Sequence, residues 1–172
     1  VPFPLSSAVA FWQEIYSQYD SNQVVLHDVE DLSIRYGVVD LGFLDSVEIS
    51  EVRKEALQKA RVKQAMAQVK ASLDPVMADR LRTQSGLRDK FIEAIRVSGK
   101  YMPHFEEIFD LYGVPRELTR LPFVESMFQE RARSRVGAAG VWQFMPGTGA
   151  HYLRVSAHRD DRYDPILSAH AA

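Results

Sequence analysis

The sequence of 172 residues contains no cysteine. Disulfide bonds, thiolate nucleophiles and thiolate metal sites are therefore excluded. The sequence also lacks any apolar run near the roughly 20 residues that a membrane-spanning helix requires. It has no large excess of charge of one sign, since the formal net charge is -2. The net charge therefore gives no indication that the protein binds nucleic acid or an anionic membrane.

Apolar residues make up 46% of the chain and charged residues 26%, which is typical of an ordinary globular protein. The length suits one medium domain or one and a half small ones. We place a coarse boundary near residue 80, between a mixed or helical segment of residues 1–80 and a compact all-helical segment of residues 81–172. In the first segment, Val24–Leu26 is a strand-like run that could pair with Val38-Val39.

Residues 50–72 have the clearest helical pattern, because Val62, Met66, Val69 and Leu73 repeat at intervals of four, three and four. The remaining faces carry six basic residues against two acidic ones. A solvated helix face is the usual explanation of such charge, and a surface facing an anionic polymer or lipid is the alternative. The basic residues are Arg53, Lys54, Lys59, Arg61, Lys63 and Lys70.

Several local signals predict short helices after residue 72. Asp74-Pro75 has the pattern of an N-cap followed by proline in the first turn. Pro103 then begins a helix that ends at Gly113, and Pro122 divides the next stretch into two short helices. In the helix after Pro103 we expect these side chains to face inward: Phe105, Ile108, Phe109 and Tyr112.

Glu125 lies in a run of large apolar residues, Leu121–Phe128. A carboxyl group among such residues is desolvated, which raises its pKa and suits it to act as a general acid near neutral pH. The alternative is a glutamate on a helix surface that faces water, which is the commoner case. The octapeptide alone does not favour the catalytic interpretation.

The following segment combines a loop of small residues, Ala132–Gly140, with an aromatic stretch, Val141–Gly149. Glycine lets a backbone and a ligand approach closely. Flat apolar surfaces with a few hydrogen-bonding side chains are typical of small-molecule sites, including sugar sites. Taken singly, Trp142 and Phe144 are equally well explained as buried helix residues.

Taken together, residues 121–149 resemble the first two motifs of the soluble lytic transglycosylase (SLT) domain, in particular its membrane-bound D-type branch. The pattern is Glu-Ser, a serine nine positions after the glutamate, and Gly-x-x-Gln-x-Met-Pro beginning fifteen positions after it. This chain has Glu125-Ser126, Ser134, and Gly-Val-Trp-Gln-Phe-Met-Pro at Gly140–Pro146. The segment Asp161–Ala172 resembles the next part of the family, so the similarity covers roughly residues 85–172.

The resemblance implies a mainly α fold, a lysozyme-like SLT catalytic domain preceded by a mostly helical N-terminal segment. It implies that Glu125 is the single catalytic acid and base, and that Ser126, Ser134, Gln143 and Met145 contact or position the substrate. The substrate would be the peptidoglycan glycan strand, cut with formation of a 1,6-anhydro sugar and without consumption of water. No cofactor or metal is implied. A periplasmic or cell-envelope location, with association to wall or membrane, follows from the substrate.

The family's third motif, Ala-x-Tyr-Asn, lies downstream of the position that corresponds to residue 172, so the resemblance predicts a domain that is incomplete at its C-terminal end. Two alternatives therefore stay open. One is a lysozyme-type hydrolase, which uses two carboxylates and could draw on Asp160, Asp161 or Asp164. The other is a peptidoglycan-binding module without catalytic activity. The histidines lack paired metal-ligand spacing.

Overall fold

The structure is a computed structural model that describes residues 5–172, and its contacts divide the chain into two compact units. The first unit extends to Lys90, and the second runs from Phe91 to Ala172. The sequence placed the boundary near residue 80. The later division has a structural reason, because residues 81–85 form a strand of the first unit's sheet.

Helices predominate, as the sequence predicted. The helices are α1 (Ser6–Ser17), α2 (Glu51–Ala71), α3 (Pro75–Arg80), α4 (Arg88–Ser98), α5 (Met102–Tyr112), α6 (Leu121–Glu125), α7 (Pro146–Tyr152) and α8 (Pro165–Ala171). The strands are β1 (Gln23–Asp28), β2 (Arg35–Asp40) and β3 (Leu81–Ser85). Short 3-10 helices occupy Gly42–Ser46, Arg116–Arg120 and Asp161–Tyr163. Within residues 5–172, no helix has the length and apolar character needed to cross a membrane.

The first unit is built on a three-stranded antiparallel sheet with the order β2-β1-β3. Val24 pairs with Val39 and Val25 with Val38, which confirms the predicted pairing. The third strand was not predicted. Its sequence, Leu-Arg-Thr-Gln-Ser, has one apolar residue, and the strand occupies a sheet edge, where polar residues are tolerated.

Helix α2 confirms the predicted apolar stripe, because Val62, Met66 and Val69 pack against the core of the sheet. The stripe is narrow, and no residue of α2 is fully buried. The predicted cap at Asp74 is present as a pair of side-chain hydrogen bonds. The Asp74 carboxylate accepts from the backbone N–H groups of Val76 and Met77, at the start of α3.

A buried carboxylate joins three segments of the first unit. Asp28, at the end of β1, is fully buried and forms an ion pair with Arg80 at 2.8 Å. It also accepts hydrogen bonds from the Tyr36 hydroxyl and from two backbone N–H groups of the following turn. Burial by itself raises the pKa of Asp28, but the Arg80 guanidinium and the backbone donors together hold it at about 2.

The second unit packs around aromatic residues of α5 and of the segments that follow α6. Phe105 and Phe109 on α5 are buried as predicted, and Gly113 ends the helix in the left-handed conformation. Tyr112 is 60% exposed, so its predicted inward orientation was wrong. Tyr112 is the last residue of α5, and its ring lies beside that of the exposed His170. Other buried members of this core are Ala94, Ile108, Phe128, Val141, Trp142 and Ala169.

Candidate active site

Glu125 is the last residue of α6, a helix of five residues that begins next to Pro122. Its side chain is exposed, and it makes no hydrogen bond or ion pair within residues 5–172. The predicted desolvation by neighbouring apolar residues was therefore wrong. Leu121 and Val124, which supplied that expectation, are themselves 46% and 70% exposed.

The turn after Glu125 holds the glutamate's backbone firmly. Met127 and Phe128 both have positive φ angles, 52° and 54°, which are uncommon for residues other than glycine. Such conformations cost on the order of 1–3 kcal/mol each and persist where packing enforces them. Here the enforcing contact is Phe128, which is 1% exposed and packs edge-on against Phe123 at 4.7 Å.

Ser126 connects this turn to the second motif. The side chain is buried, and its Oγ donates a hydrogen bond to the carbonyl oxygen of Val141 at 2.8 Å. The hydroxyl proton is thus used within the chain. This geometry favours a role in positioning Glu125 relative to the second motif over direct contact with a substrate.

Ser134 organises the loop between the two motifs. Its backbone N–H donates to the carbonyl oxygen of Ala138, and its Oγ accepts from the N–H of Ala138, both at 2.9 Å. The N–H of Gly137 donates to the carbonyl oxygen of Ser134. Because Oγ acts as an acceptor in this turn, its own proton remains available to a ligand.

Gln143 and Met145 lie at the end of the same loop. Gln143 has a φ of 50°, and its Nε2 donates to the carbonyl oxygen of Gly140 at 2.8 Å. Met145 is 42% exposed and immediately precedes α7. Trp142, which immediately precedes Gln143, is buried against Phe109 with ring centroids 5.5 Å apart. This aromatic contact anchors the loop, and the two predicted substrate contacts follow it in the chain.

Arg162 is the structural residue of this region that sequence reasoning missed. The side chain is almost fully buried, and its Nη1 donates to the carbonyl oxygens of Gly137 at 2.8 Å and Phe144 at 3.0 Å. Its Nε and Nη2 bind both carboxylate oxygens of Asp160. One guanidinium therefore closes both ends of the loop that carries Gln143. An arginine two positions after an aspartate was the available signal, but nothing local indicates burial.

Gly140 makes this closure possible. Its φ is 77°, and a Cβ atom at this position would overlap the carbonyl oxygen of Arg162. A side chain is therefore excluded by space as well as by conformation.

Comparison with known proteins assigns this region. Residues 105–172 match the sequence model of the family described as "Transglycosylase SLT domain". The match supports a lytic transglycosylase SLT domain in this part of the chain. The predicted family is thereby confirmed, and with it the predicted mainly α, lysozyme-like fold class.

A stretch of 61 residues, 35% of this chain, is 45% identical to the "Membrane-bound lytic murein transglycosylase D" of Escherichia coli K12. The protein of the same name from Escherichia coli O6:H1 matches with the same identity and coverage. The aligned stretch spans only 14% of the length of these curated relatives. No solved structure matches the chain significantly.

The three aspartates that could supply a second carboxylate, Asp160, Asp161 and Asp164, all have structural partners. Asp160 binds Arg162, whose hydrogen bond lowers the pKa of that carboxyl. Asp161 binds Arg159 in the same way, and its pKa is also lowered. Asp164 accepts from the N–H groups at the start of α8. Glu125 differs from all three because its carboxylate has no partner within residues 5–172.

Proposed function

We propose that this chain is part of a peptidoglycan lytic transglycosylase, which cleaves the β-1,4 bond between N-acetylmuramic acid and N-acetylglucosamine and forms a 1,6-anhydro-N-acetylmuramic acid end. The match of residues 105–172 to the SLT family and the similarity to two lytic murein transglycosylases support the reaction class. The observation that carries the assignment of the catalyst is the unpartnered carboxylate of Glu125 on a rigid turn tied to the second motif by Ser126.

In the proposed mechanism, Glu125 begins protonated. Glu125 donates its proton to the glycosidic oxygen as the bond from that oxygen to C1 of N-acetylmuramic acid breaks. The resulting carboxylate then accepts the proton of the C6 hydroxyl while O6 attacks C1. The acid form of Glu125 is regenerated, and the reaction consumes no water.

The other motif residues would act on the glycan without exchanging protons. Ser134 has a hydroxyl proton to donate, and Met145 offers an exposed apolar contact. Gln143 would present its amide beside them, with Nε2 already held by Gly140. Ser126 is proposed to position Glu125, because its hydroxyl is already bound to Val141.

Hydrolysis in the manner of lysozyme is less well supported. It requires a second carboxylate available to a nucleophile or a water. Asp160 and Asp161 are held by arginines, and Asp164 by the N-terminus of α8. Releasing any of them would break a contact that the fold uses, so a one-carboxylate mechanism fits the site better.

The decisive experiment compares Glu125→Gln with Glu117→Gln in the full-length protein that contains this chain. Glu117 is a matched control, since it is also exposed and has no ion pair or side-chain hydrogen bond within residues 5–172. Glutamine keeps the shape of glutamate but cannot transfer a proton. We expect Glu125→Gln to lower the rate of release of anhydro-muropeptides from purified peptidoglycan by at least roughly 10²–10⁴-fold. Glu117→Gln should leave the rate unchanged.

Mass spectrometry of the products separates the alternatives. Anhydro ends support the transglycosylase, whereas reducing ends indicate a hydrolase. Binding of peptidoglycan by the wild type without any product indicates a binding module. Near wild-type release by Glu125→Gln would show that another residue is the catalyst.

We further propose a periplasmic or cell-envelope location, because peptidoglycan lies outside the cytoplasmic membrane. The names of the two relatives describe them as membrane-bound. Fractionation of cells that express the native protein should recover it with the envelope or the periplasm, and recovery in the cytosol alone would contradict this location.

A further inference from the structure

A groove of about 370 Å³ lies wholly within the first unit, between α2 and the edge strand β3. We call it the α2–β3 groove. Its volume falls in the range of roughly 300–1,000 Å³ that is usual for small-molecule sites. The floor is apolar and consists of Val24, Leu41, Val62 and Met66.

The β3 wall of the groove carries hydroxyl groups where the rest of the same sheet face is apolar. Leu81, Thr83 and Ser85 alternate onto one face of β3. Leu81 is buried in the core under α2, whereas Thr83 and Ser85 are exposed and line the groove. Neither hydroxyl has a hydrogen-bond partner within residues 5–172. This face of β3 thus carries a buried apolar side chain at Leu81 and free hydroxyl donors at Thr83 and Ser85, where the groove opens.

The α2 wall is cationic. Lys59 and Lys63, one turn apart, both line the groove. Lys63 forms no ion pair within the part of the chain that the structure describes. Lys59 pairs only with Glu55, and both side chains are largely exposed, so that this pair is worth little and can exchange for a ligand. From residue 59 to residue 70, the helix has four basic residues and no acidic one.

The one other hydroxyl in the lining is already used. Ser21 Oγ donates to the carboxylate of Asp89 at 2.7 Å. The free donors therefore lie on the two facing walls, as the lysines and the Gln58 amide of α2 and the hydroxyls of β3. An occupant must offer apolar groups to the floor and anionic acceptors to both walls.

We propose that the α2–β3 groove binds a short acidic peptide with small aliphatic side chains, the class of peptide that is attached to peptidoglycan glycan strands. The carboxylates would contact Lys63, Lys59 and the β3 hydroxyls, and the aliphatic groups would cover Val62 and Met66. That the peptide comes from peptidoglycan rests on the proposed function. That the ligand is acidic and partly aliphatic follows from the residues that line the groove. The first unit would then recognise the peptides of the wall.

The test uses the full-length protein with Glu125→Gln, so that the ligand is not consumed, and follows the Met66 methyl signal by NMR. The probes are soluble disaccharide muropeptides and the same disaccharides after enzymatic removal of the peptide. We expect the muropeptides to shift the Met66 signal, and the peptide-free sugars to leave it unchanged. Absence of a muropeptide effect on Met66 would overturn the proposal.

Charge reversal distinguishes specific binding in the groove from nonspecific electrostatic attraction to α2. Lys63→Glu should weaken the Met66 response to muropeptides by about tenfold, since an attraction becomes a repulsion. Lys70→Glu, on the same helix but outside the groove, is the matched control and should change it little. Equal weakening by both variants would mean that the helix attracts anions without a specific site, and would overturn the proposal.

Vesicles of phosphatidylglycerol provide the remaining comparison. A Met66 response to vesicles, and none to muropeptides, would assign the surface to a membrane instead and also overturn the proposal.

Failure of the groove proposal is distinguishable from failure of the proposed function. Wild-type protein that releases anhydro-muropeptides without a Met66 response refutes only the groove, and a Met66 response without cleavage refutes only the enzyme.

Discussion

Replacement of Arg162 by methionine is the sharpest test of how the second motif is held in place. Methionine retains an unbranched apolar side chain but removes the guanidinium. The substitution leaves the carbonyl oxygens of Gly137 and Phe144 without their Arg162 donor, and it leaves the Asp160 carboxylate without its cation. Glu125 is untouched, so that any effect on stability arises from the loop.

The magnitude follows from burial. The Arg162 side chain is 7% exposed and that of Asp160 is 22% exposed. Breaking a buried ion pair by removing one partner costs about 3–5 kcal/mol. Because Asp160 keeps some access to water, we expect the lower end, about 3 kcal/mol.

The matched control is Arg159→Met, three positions earlier on the same segment. Arg159 pairs with Asp161 at 2.6 Å, but the Arg159 side chain is 55% exposed, and Asp161, which is 11% exposed, also accepts from the backbone N–H of Arg154. Because the cation is exposed and Asp161 keeps a second donor, we expect a smaller cost than for Arg162, about 1 kcal/mol. The two variants remove the same chemical group and differ in its burial.

The assay is urea unfolding of the 172-residue chain, monitored by tryptophan fluorescence. The chain has two tryptophans, and a Trp12→Phe background leaves Trp142 as the reporter of the second unit. Asp160→Asn combined with Arg162→Met should recover part of the lost stability, because the stranded charge is removed. If Arg162→Met and Arg159→Met lower the free energy of unfolding equally, the proposed closure of the loop by Arg162 is refuted.

Two further predictions concern other fixed points of the fold. Asp28→Asn should lower the free energy of unfolding of the first unit by about 3–5 kcal/mol, since it breaks the buried pair with Arg80. The folded pKa of Asp28, about 2, lies below its ordinary value, so its contribution is present above that ordinary value and is lost as pH falls through about 2. Urea unfolding at several acid pH values measures this, and a loss complete by pH 4 would contradict it. Gly140→Ala should destabilise the second unit far more than Gly113→Ala. Both glycines have positive φ, which costs about 1–2 kcal/mol for alanine, but only a Cβ at Gly140 meets the Arg162 backbone. Similar urea midpoints for the two alanine variants would count against that steric account.

Local signals in the sequence predicted a substantial part of the fold. The 3.6-residue periodicity of α2 and the Asp74-Pro75 cap of α3 were both correct. The end of α5 at Gly113 was also correct. These features depend on residues within about one or two helical turns of each other, and such relations are contained in a linear pattern. The motif spacing from Glu125 to Pro146 was likewise sufficient to identify the SLT family.

The tertiary structure decided which of the predicted residues face water. Glu125 was expected among apolar groups and is exposed, whereas Arg162 had no indication of burial and is enclosed. Similarly, β3 could not be predicted from its own sequence, because it is a strand through its pairing with β1, and α2 and α3 separate the two strands in the chain. Burial and sheet pairing depend on residues that are distant along the chain. The sequence by itself thus determined the periodicity of α2, the cap of α3, the end of α5 and the resemblance to the SLT family. Folding decided that Glu125 faces water and that Arg162 closes the loop of the second motif.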